Sequence, residues 1–270
     1  MRDTEIARRG LVLLGCGKMG FAMLQGWLDR GLPAESVTVL DPGASEEVKA
    51  SGVRVNAELP EEPAIILLAV KPQMMNDALL PLQPYGSNST LFVSVAAGVT
   101  TERLEGLLGA GTPVVRAMPN TPAAIGRGVT AIIGNRHASE THLEQARLLL
   151  EAVGEVVTLD EEAQMDAVTG VSGSGPAYVF HMIECLAAAA EAEGLRPELA
   201  LTLARATVAG AGALAQETGT DPSELRANVT SPNGTTQAGL EVLMDSDKGL
   251  PPLLRATVKA AAARSRELGQ

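Results

Sequence analysis

The chain has 270 residues, enough for one large domain or two modest ones, and its 46% hydrophobic content is ample for a substantial core. Aromatics make up only 2% and the net charge is −11, which excludes the basic patches and stacking aromatics of a nucleic-acid binder and leaves solubility as the reading of the acidity. Two cysteines, Cys16 and Cys185, lie far apart without metal-ligand spacing, so the sequence predicts a reducing cytoplasmic setting, no disulfide framework and no metal.

The charged start, Met1 to Gly10, and the glycine-interrupted apolar run behind it read as neither a signal peptide nor a membrane span. Leu11–Leu14 is a short apolar run stopping at a glycine cluster, and Phe21–Arg30 reads as a helix capped by Gly31. Val37–Leu40 is a second β-rich run, closed by the turn Asp41-Pro42-Gly43. Ile65–Val70 is apolar throughout, as a strand covered on both faces should be. Leu91–Val95 and Val114–Ala117 continue the series, and Val129–Ile133 and Glu155–Thr158 close it. Strands alternating with helical stretches predict βαβ units around a parallel sheet over residues 1–159. Over residues 160–270 alanine-rich helical segments take over (Ile183–Glu193, Leu199–Gln216, Leu253–Leu268) and predict an all-helical second domain. Its small-residue faces allow close packing, within the chain or between subunits.

Gly15-Cys16-Gly17-Lys18-Met19-Gly20 fits G-x-G-x-x-G between the first strand and first helix. Gly15 permits the tight turn, Gly17 lets backbone approach a pyrophosphate, and Gly20 allows close helix–strand contact. Asp41 follows the second strand, 21 residues after Gly20, where an acid bonds the ribose hydroxyls of NAD and repels the 2′-phosphate of NADP. It equally suits the start of the Asp-Pro-Gly turn. Lys71, behind a buried strand's carboxyl end, is placed to touch cofactor phosphate or amide, or to sit on the surface.

In the helical half, Thr169-Gly-Val-Ser-Gly-Ser-Gly-Pro-Ala-Tyr178 breaks the helical pattern, with Pro176 suited to the first turn of the next helix. Glu162 and Asp166 before it and Thr169 at its start fall at helical spacings, on one face that offers a carboxylate to a cationic substrate or to solvent. In Asn228-Val-Thr-Ser-Pro-Asn-Gly-Thr-Thr236, Ser231, Thr235 and Thr236 supply hydroxyls and Gly234 exposes backbone amides. A helix beginning near Thr235 would present a carboxylate-binding end, although an N-cap explains the same residues. His137, His142 and His181 have no nucleophile or ligand spacing and read as structural.

These segments in this order resemble the pyrroline-5-carboxylate reductases across nearly the whole chain. The likeness rests on the Gly15–Gly20 loop, Ala69-Val-Lys-Pro-Gln73, Ala96-Ala-Gly-Val99, Arg116-Ala-Met-Pro-Asn-Thr-Pro122, the Asp166–Tyr178 segment and the Ser231–Thr236 loop. The resemblance implies an N-terminal Rossmann-type doubly wound domain and a C-terminal helical domain that dimerises, often into larger rings such as a decamer. It implies reduction of the cyclic imine Δ1-pyrroline-5-carboxylate to L-proline with NADPH or NADH. By matching positions, Gly15, Cys16, Gly17, Lys18, Met19 and Gly20 border the pyrophosphate. Asn56, Ala69, Val70 and Lys71 contact the cofactor, Ala96 and Ala97 lie near the nicotinamide, and Asn228 matches another ligand-contacting position. Glu162, Gly234, Thr235 and Thr236 hold substrate, with Thr236 and Ser231 the catalytic candidates. Asn233 departs from the family's usual glycine, at a residue type that tolerates left-handed angles. A β-hydroxyacid dehydrogenase shares the opening loop, but its second-domain lysine has no counterpart among Lys18, Lys49, Lys71, Lys248 and Lys259. A catalytically silent nucleotide sensor on the same scaffold is the other alternative, and the intact Ser231–Thr236 and Thr169–Tyr178 segments argue against it.

Overall fold

The structure, a computed structural model, describes residues 1–268 and divides into two compact units. The first comprises Met1–Gly173 and the chain from Ala261 onward; the second is Ser174–Ala260.

In the first unit, α1 (Glu5–Arg9), β1 (Leu11–Leu14), α2 (Lys18–Asp29), β2 (Val37–Leu40), α3 (Glu46–Ala50), β3 (Arg54–Val55) and β4 (Ile65–Leu68) form one half. The other half holds α4 (Met75–Leu79), β5 (Leu91–Ser94), α5 (Thr101–Leu108), β6 (Val114–Met118), β7 (Gly128–Gly134), α6 (Glu140–Leu150), β8 (Gly154–Thr158) and α7 (Met165–Val168). The strands make one sheet in the order β3-β2-β1-β4-β5-β6-β7-β8.

Leu11, Leu13, Ile65 and Leu67 pack on one side with Met23, Leu24 and Trp27 of α2 and Leu149 and Leu150 of α6. Val12, Leu14, Ile66 and Leu68 pack on the other with Met75, Leu79, Leu104 and Leu108 of α4 and α5. Both faces are covered, so the strands read as continuous apolar runs, and each fully buried aliphatic side chain contributes about 1.5–3 kcal/mol. Trp27 is fully buried, and its indole N–H donates to the Leu149 carbonyl at 2.9 Å, tying α2 to α6.

Two local expectations change, and one short strand was not foreseen. β7 runs antiparallel to β6, because the connection over residues 119–127 is too short for a parallel crossover. β3 is a two-residue edge strand bonded to Thr38 and Val39, too short to show a period. α2 begins at Lys18 rather than Phe21, since Gly20 sits inside its first turn instead of in the preceding loop.

In the second unit, α8 (Gly175–Ala192) and α9 (Pro197–Thr218) pack through small residues, with Ala187, Ala200 and Ala204 buried. α10 (Pro222–Asn228), α11 (Thr235–Leu243) and α12 (Leu250–Leu268) follow, α12 ending in the first unit. α8 starts earlier than the alanine run suggests because Pro176 falls in its first turn, where a missing amide breaks no helical hydrogen bond. Just before it, Thr169–Gly173 forms a π-helical turn. α9 is long and apolar enough by length and composition to cross a membrane. Phe180, Leu203 and Leu214 are among the large apolar side chains left exposed on α8 and α9.

Candidate active site

Strand order reverses between β1 and β4, and open α/β sheets bind ligands in the crevice outside such strand ends. The Gly15–Gly20 loop leaves β1 there and Ala69–Lys71 leaves β4, with the Ala69 amide donating to the Leu14 carbonyl at 2.8 Å. Gly15 has φ +85°, and a Cβ on it would lie 2.8 Å from Val70 Cγ1, so this turn requires glycine. A Cβ on Gly20 would lie 2.6 Å from the Gly15 carbonyl oxygen, which brings α2 hard against the loop. A Cβ on Gly17 would meet nothing within 4 Å, so that glycine borders open space. No side chain caps the first turn of α2, whose amides therefore face that space as an anion site, with Lys18 exposed beside them. Open space, uncapped amides and a cation fit a dinucleotide pyrophosphate.

Asp41 sits just past β2 with its carboxylate engaged by the protein. Oδ1 accepts from the Gly43 amide at 2.8 Å and Oδ2 from the Cys16 amide at 2.7 Å. The Asn56 side chain brackets Asp41's backbone, donating to its carbonyl and accepting from its amide, both at 2.9 Å. Asp41 thus starts its own turn and also fixes the glycine loop. Burial and the neighbouring Asp41 charge push the Cys16 thiol up to about 11, which keeps it protonated at neutral pH. Lys71 is exposed at the start of a 3-10 turn, while Ala96 is buried and Ala97 exposed just beyond β5.

Glu162 lies in a 3-10 turn after β8. Its Oε1 accepts from the Thr101 amide and from Arg116 Nη1, both at 2.9 Å, and its Oε2 accepts from the Thr101 hydroxyl at 2.6 Å. Burial alone would raise its pKa, but the hydrogen bonds from Thr101 and Arg116 and the guanidinium charge outweigh it and hold the carboxyl below its usual value. Asp166 accepts from the Ser265 hydroxyl at 2.7 Å, and the Thr169 hydroxyl bonds back to the Met165 carbonyl. Arg116 and Thr101 are partners of Glu162 that no sequence motif assigns. A signal for Arg116 was present, since a charge inside Val-Val-Arg-Ala-Met requires a buried counter-charge.

In the second unit, Asn228 ends α10 and Gly234 is the N-cap of α11, which Thr235 opens without a side-chain cap. Asn233 holds φ +57°, the left-handed conformation its side chain tolerates, and its amide donates to Gln237 Oε1 at 2.8 Å. Ser231 closes the turn through its carbonyl, which accepts from the Gly234 amide at 3.0 Å. The loop therefore leaves the Thr235 and Thr236 end of a nine-residue helix open to an anion.

The histidines make structural contacts: His137 shares Glu105 with Arg136, His142 completes the cap of α6, and His181 lies beside Glu184. Two surface clefts of the first unit, about 600 and 540 Å³, include no residue of the glycine loop.

The switch-point loop and the doubly wound sheet define the class: a dinucleotide-dependent oxidoreductase with a Rossmann-type domain and a separate helical unit. Residues 10–98 match the family described as NADP oxidoreductase, coenzyme F420-dependent, and residues 162–268 match Pyrroline-5-carboxylate reductase dimerisation. The chain is 40% identical over 266 residues to the pyrroline-5-carboxylate reductase of Pseudomonas aeruginosa, covering 96% of this chain and 97% of that protein. It is similar to the solved structure of a pyrroline-5-carboxylate reductase from Coxiella burnetii (TM-score 0.91, 32% identity, 97% of this chain and 99% of the other). It is also similar to the Plasmodium falciparum pyrroline carboxylate reductase with NADP bound (TM-score 0.84, 28% identity, 98% and 99% coverage). The chain belongs to the pyrroline-5-carboxylate reductase family.

Proposed function

We propose that this protein reduces Δ1-pyrroline-5-carboxylate to L-proline, the last step of proline biosynthesis. The observation that carries the reading is full-length membership of the family, at 40% identity to a reductase of that name. The intact glycine loop and the open end of α11 support it.

The cofactor is NADPH or NADH; when bound, its nicotinamide supplies the hydride that the imine carbon accepts. Residues 1–159 serve the nucleotide. Amides of Gly17, Lys18 and Met19 hold the pyrophosphate, shaped by Gly15, Cys16 and Gly20, while Asp41 and Asn56 adjoin the ribose. Ala69, Val70 and Lys71 line the β4 side, and Ala96 and Ala97 the nicotinamide. Residues 160–270 serve substrate and dimerisation. Amides of Gly234, Thr235 and Thr236, with the Ser231 hydroxyl, take the substrate carboxylate at the start of α11. The Thr236 hydroxyl bonds the ring nitrogen or relays to it a proton taken from water. An imine nitrogen is basic, so a weak donor is sufficient.

The protein self-associates through its helical unit as a homodimer, assembled further into a ring such as a decamer, in the cytoplasm. Covering Phe180, Leu203 and Leu214 by a second copy accounts for their exposure on the single chain better than a bilayer does, because α9 lies in the region matching a dimerisation family. Purified protein given pyrroline-5-carboxylate and reduced nucleotide should form proline. Folded, nucleotide-binding protein that forms none would refute the assignment.

A further inference from the structure

Glu162 joins three segments far apart in sequence: the turn after β8, the start of α5 and the middle of β6. Thr101 is the first residue of α5, so its amide is one of the donors a helix leaves unpaired. The preceding Thr100 side chain already serves Arg103, at 3.2 Å. Glu162 therefore supplies the cap for Thr101, and its negative charge suits the positive end of the helix. From below, Arg116 is only 5% exposed, and a guanidinium so buried requires a counter-charge within reach. Both Glu162 oxygens are thus committed inside the unit.

What this carboxylate holds is the end of the loop from Val95 to Thr100. The other end is pinned where the Ala96 amide donates to Ser94 Oγ at 3.3 Å. Between the pins Gly98 turns with φ +76°, Val99 is fully buried, and Ala97 is left exposed. The loop follows β5, beside β4 in the sheet, at the strand ends where the nucleotide crevice lies.

We propose that Glu162 is a positioning residue for hydride transfer, holding the Ala96–Thr101 loop, with Arg116 behind it, in the posture that sets the nicotinamide against the substrate. This rests on the reductase reading and on Ala96 and Ala97 bordering the nicotinamide. It differs from direct contact between Glu162 and substrate, because Thr101 and Arg116 already hold the carboxylate. The matching variants are Glu162→Gln, which removes the charge and keeps one acceptor, and Thr101→Val, which removes only the hydroxyl donor.

Steady-state kinetics with nucleotide deuterated at the transferred position separate the roles. For Glu162→Gln we expect kcat to fall about 10- to 100-fold, with a larger isotope effect and a KM for the imine changed by less than about threefold. Thr101→Val should move the same quantities in the same direction by less. A KM for the imine that rises while kcat holds would overturn the proposal in favour of direct substrate contact; unchanged kinetics would overturn it outright. Hydrogen exchange gives a readout independent of turnover. Faster exchange across residues 95–104 in Glu162→Gln, or in Thr101→Val should the first variant not fold, supports the clamp, and unchanged exchange overturns it. Absence of proline formation by the wild type would instead count against the reductase reading, and the exchange result would still decide whether Glu162 fixes the loop.

Discussion

Alanine at Gly17 and alanine at Gly20 should have opposite consequences, although the residues are only three apart, at the N-cap and in the first turn of α2. At Gly20 the new methyl would lie 2.6 Å from the Gly15 carbonyl oxygen, well inside the 3.4 Å at which ordinary contact begins. Overpacking of this kind costs about 1–3 kcal/mol, and better helix propensity returns about 0.5–1, so Gly20→Ala should lose up to about 2.5 kcal/mol of stability. At Gly17 the backbone has φ −69° and a Cβ meets nothing, so the fold should lose at most about 1 kcal/mol, from a poorer N-cap. The same methyl enters the space assigned to the pyrophosphate. Displacing two charge-assisted amide bonds there costs about 3 kcal/mol, or a roughly 100-fold weaker nucleotide. Urea unfolding gives the stabilities, and fluorescence titration of reduced nucleotide gives the affinities. Gly17→Ala binding nucleotide as well as the wild type would refute the placement of the pyrophosphate over that glycine.

Other variants probe separate parts of the account. Thr236→Ala should lower kcat by about 10- to 100-fold while leaving nucleotide affinity near that of the wild type, and unchanged turnover would remove its hydroxyl from the proton path. Trp27→Phe should cost about 2–4 kcal/mol in urea unfolding followed by circular dichroism, since the Leu149 carbonyl loses its indole donor and a cavity opens beneath it. The Glu162 carboxyl is held below its ordinary value when folded, so its contribution to stability is present above the ordinary value and is lost as pH falls through the lower, folded one. Thermal melts in acid should therefore fall more steeply for the wild type than for Glu162→Gln; parallel curves would contradict this. Leu203→Glu, on the exposed face of α9, should shift light-scattering mass toward the monomer, and an unchanged mass would exclude that residue from the interface.

How much of this was legible in the sequence depended on the range of the interaction. Leu11–Leu14, Ile65–Leu68 and residues 91–93 announced themselves because a strand buried on both faces is apolar at nearly every position. The glycine loop was legible because a positive φ at Gly15 and a helix pressed on a carbonyl at Gly20 each exclude a side chain, with Gly17 bordering open space between them at a fixed spacing. The direction of β7 was not, because it follows from the reach of a connection rather than from strand composition. Asp41 could be placed at the end of β2, but its hold on the Cys16 amide spans 25 positions and leaves no local pattern. The Glu162 contacts with Arg116 and Thr101 span 46 and 61 positions. Of these, only the charge in the middle of β6 gave notice, by requiring a partner that folding alone could identify.

The central claim is tested most directly by giving purified protein pyrroline-5-carboxylate with NADPH and, in parallel, with NADH, following nucleotide oxidation and identifying the product. Rapid oxidation with stoichiometric proline is the expected result, and the ratio of the two efficiencies reports what Asp41 does at the ribose. Folded protein that binds nucleotide yet oxidises neither cofactor in the presence of the imine would contradict the account.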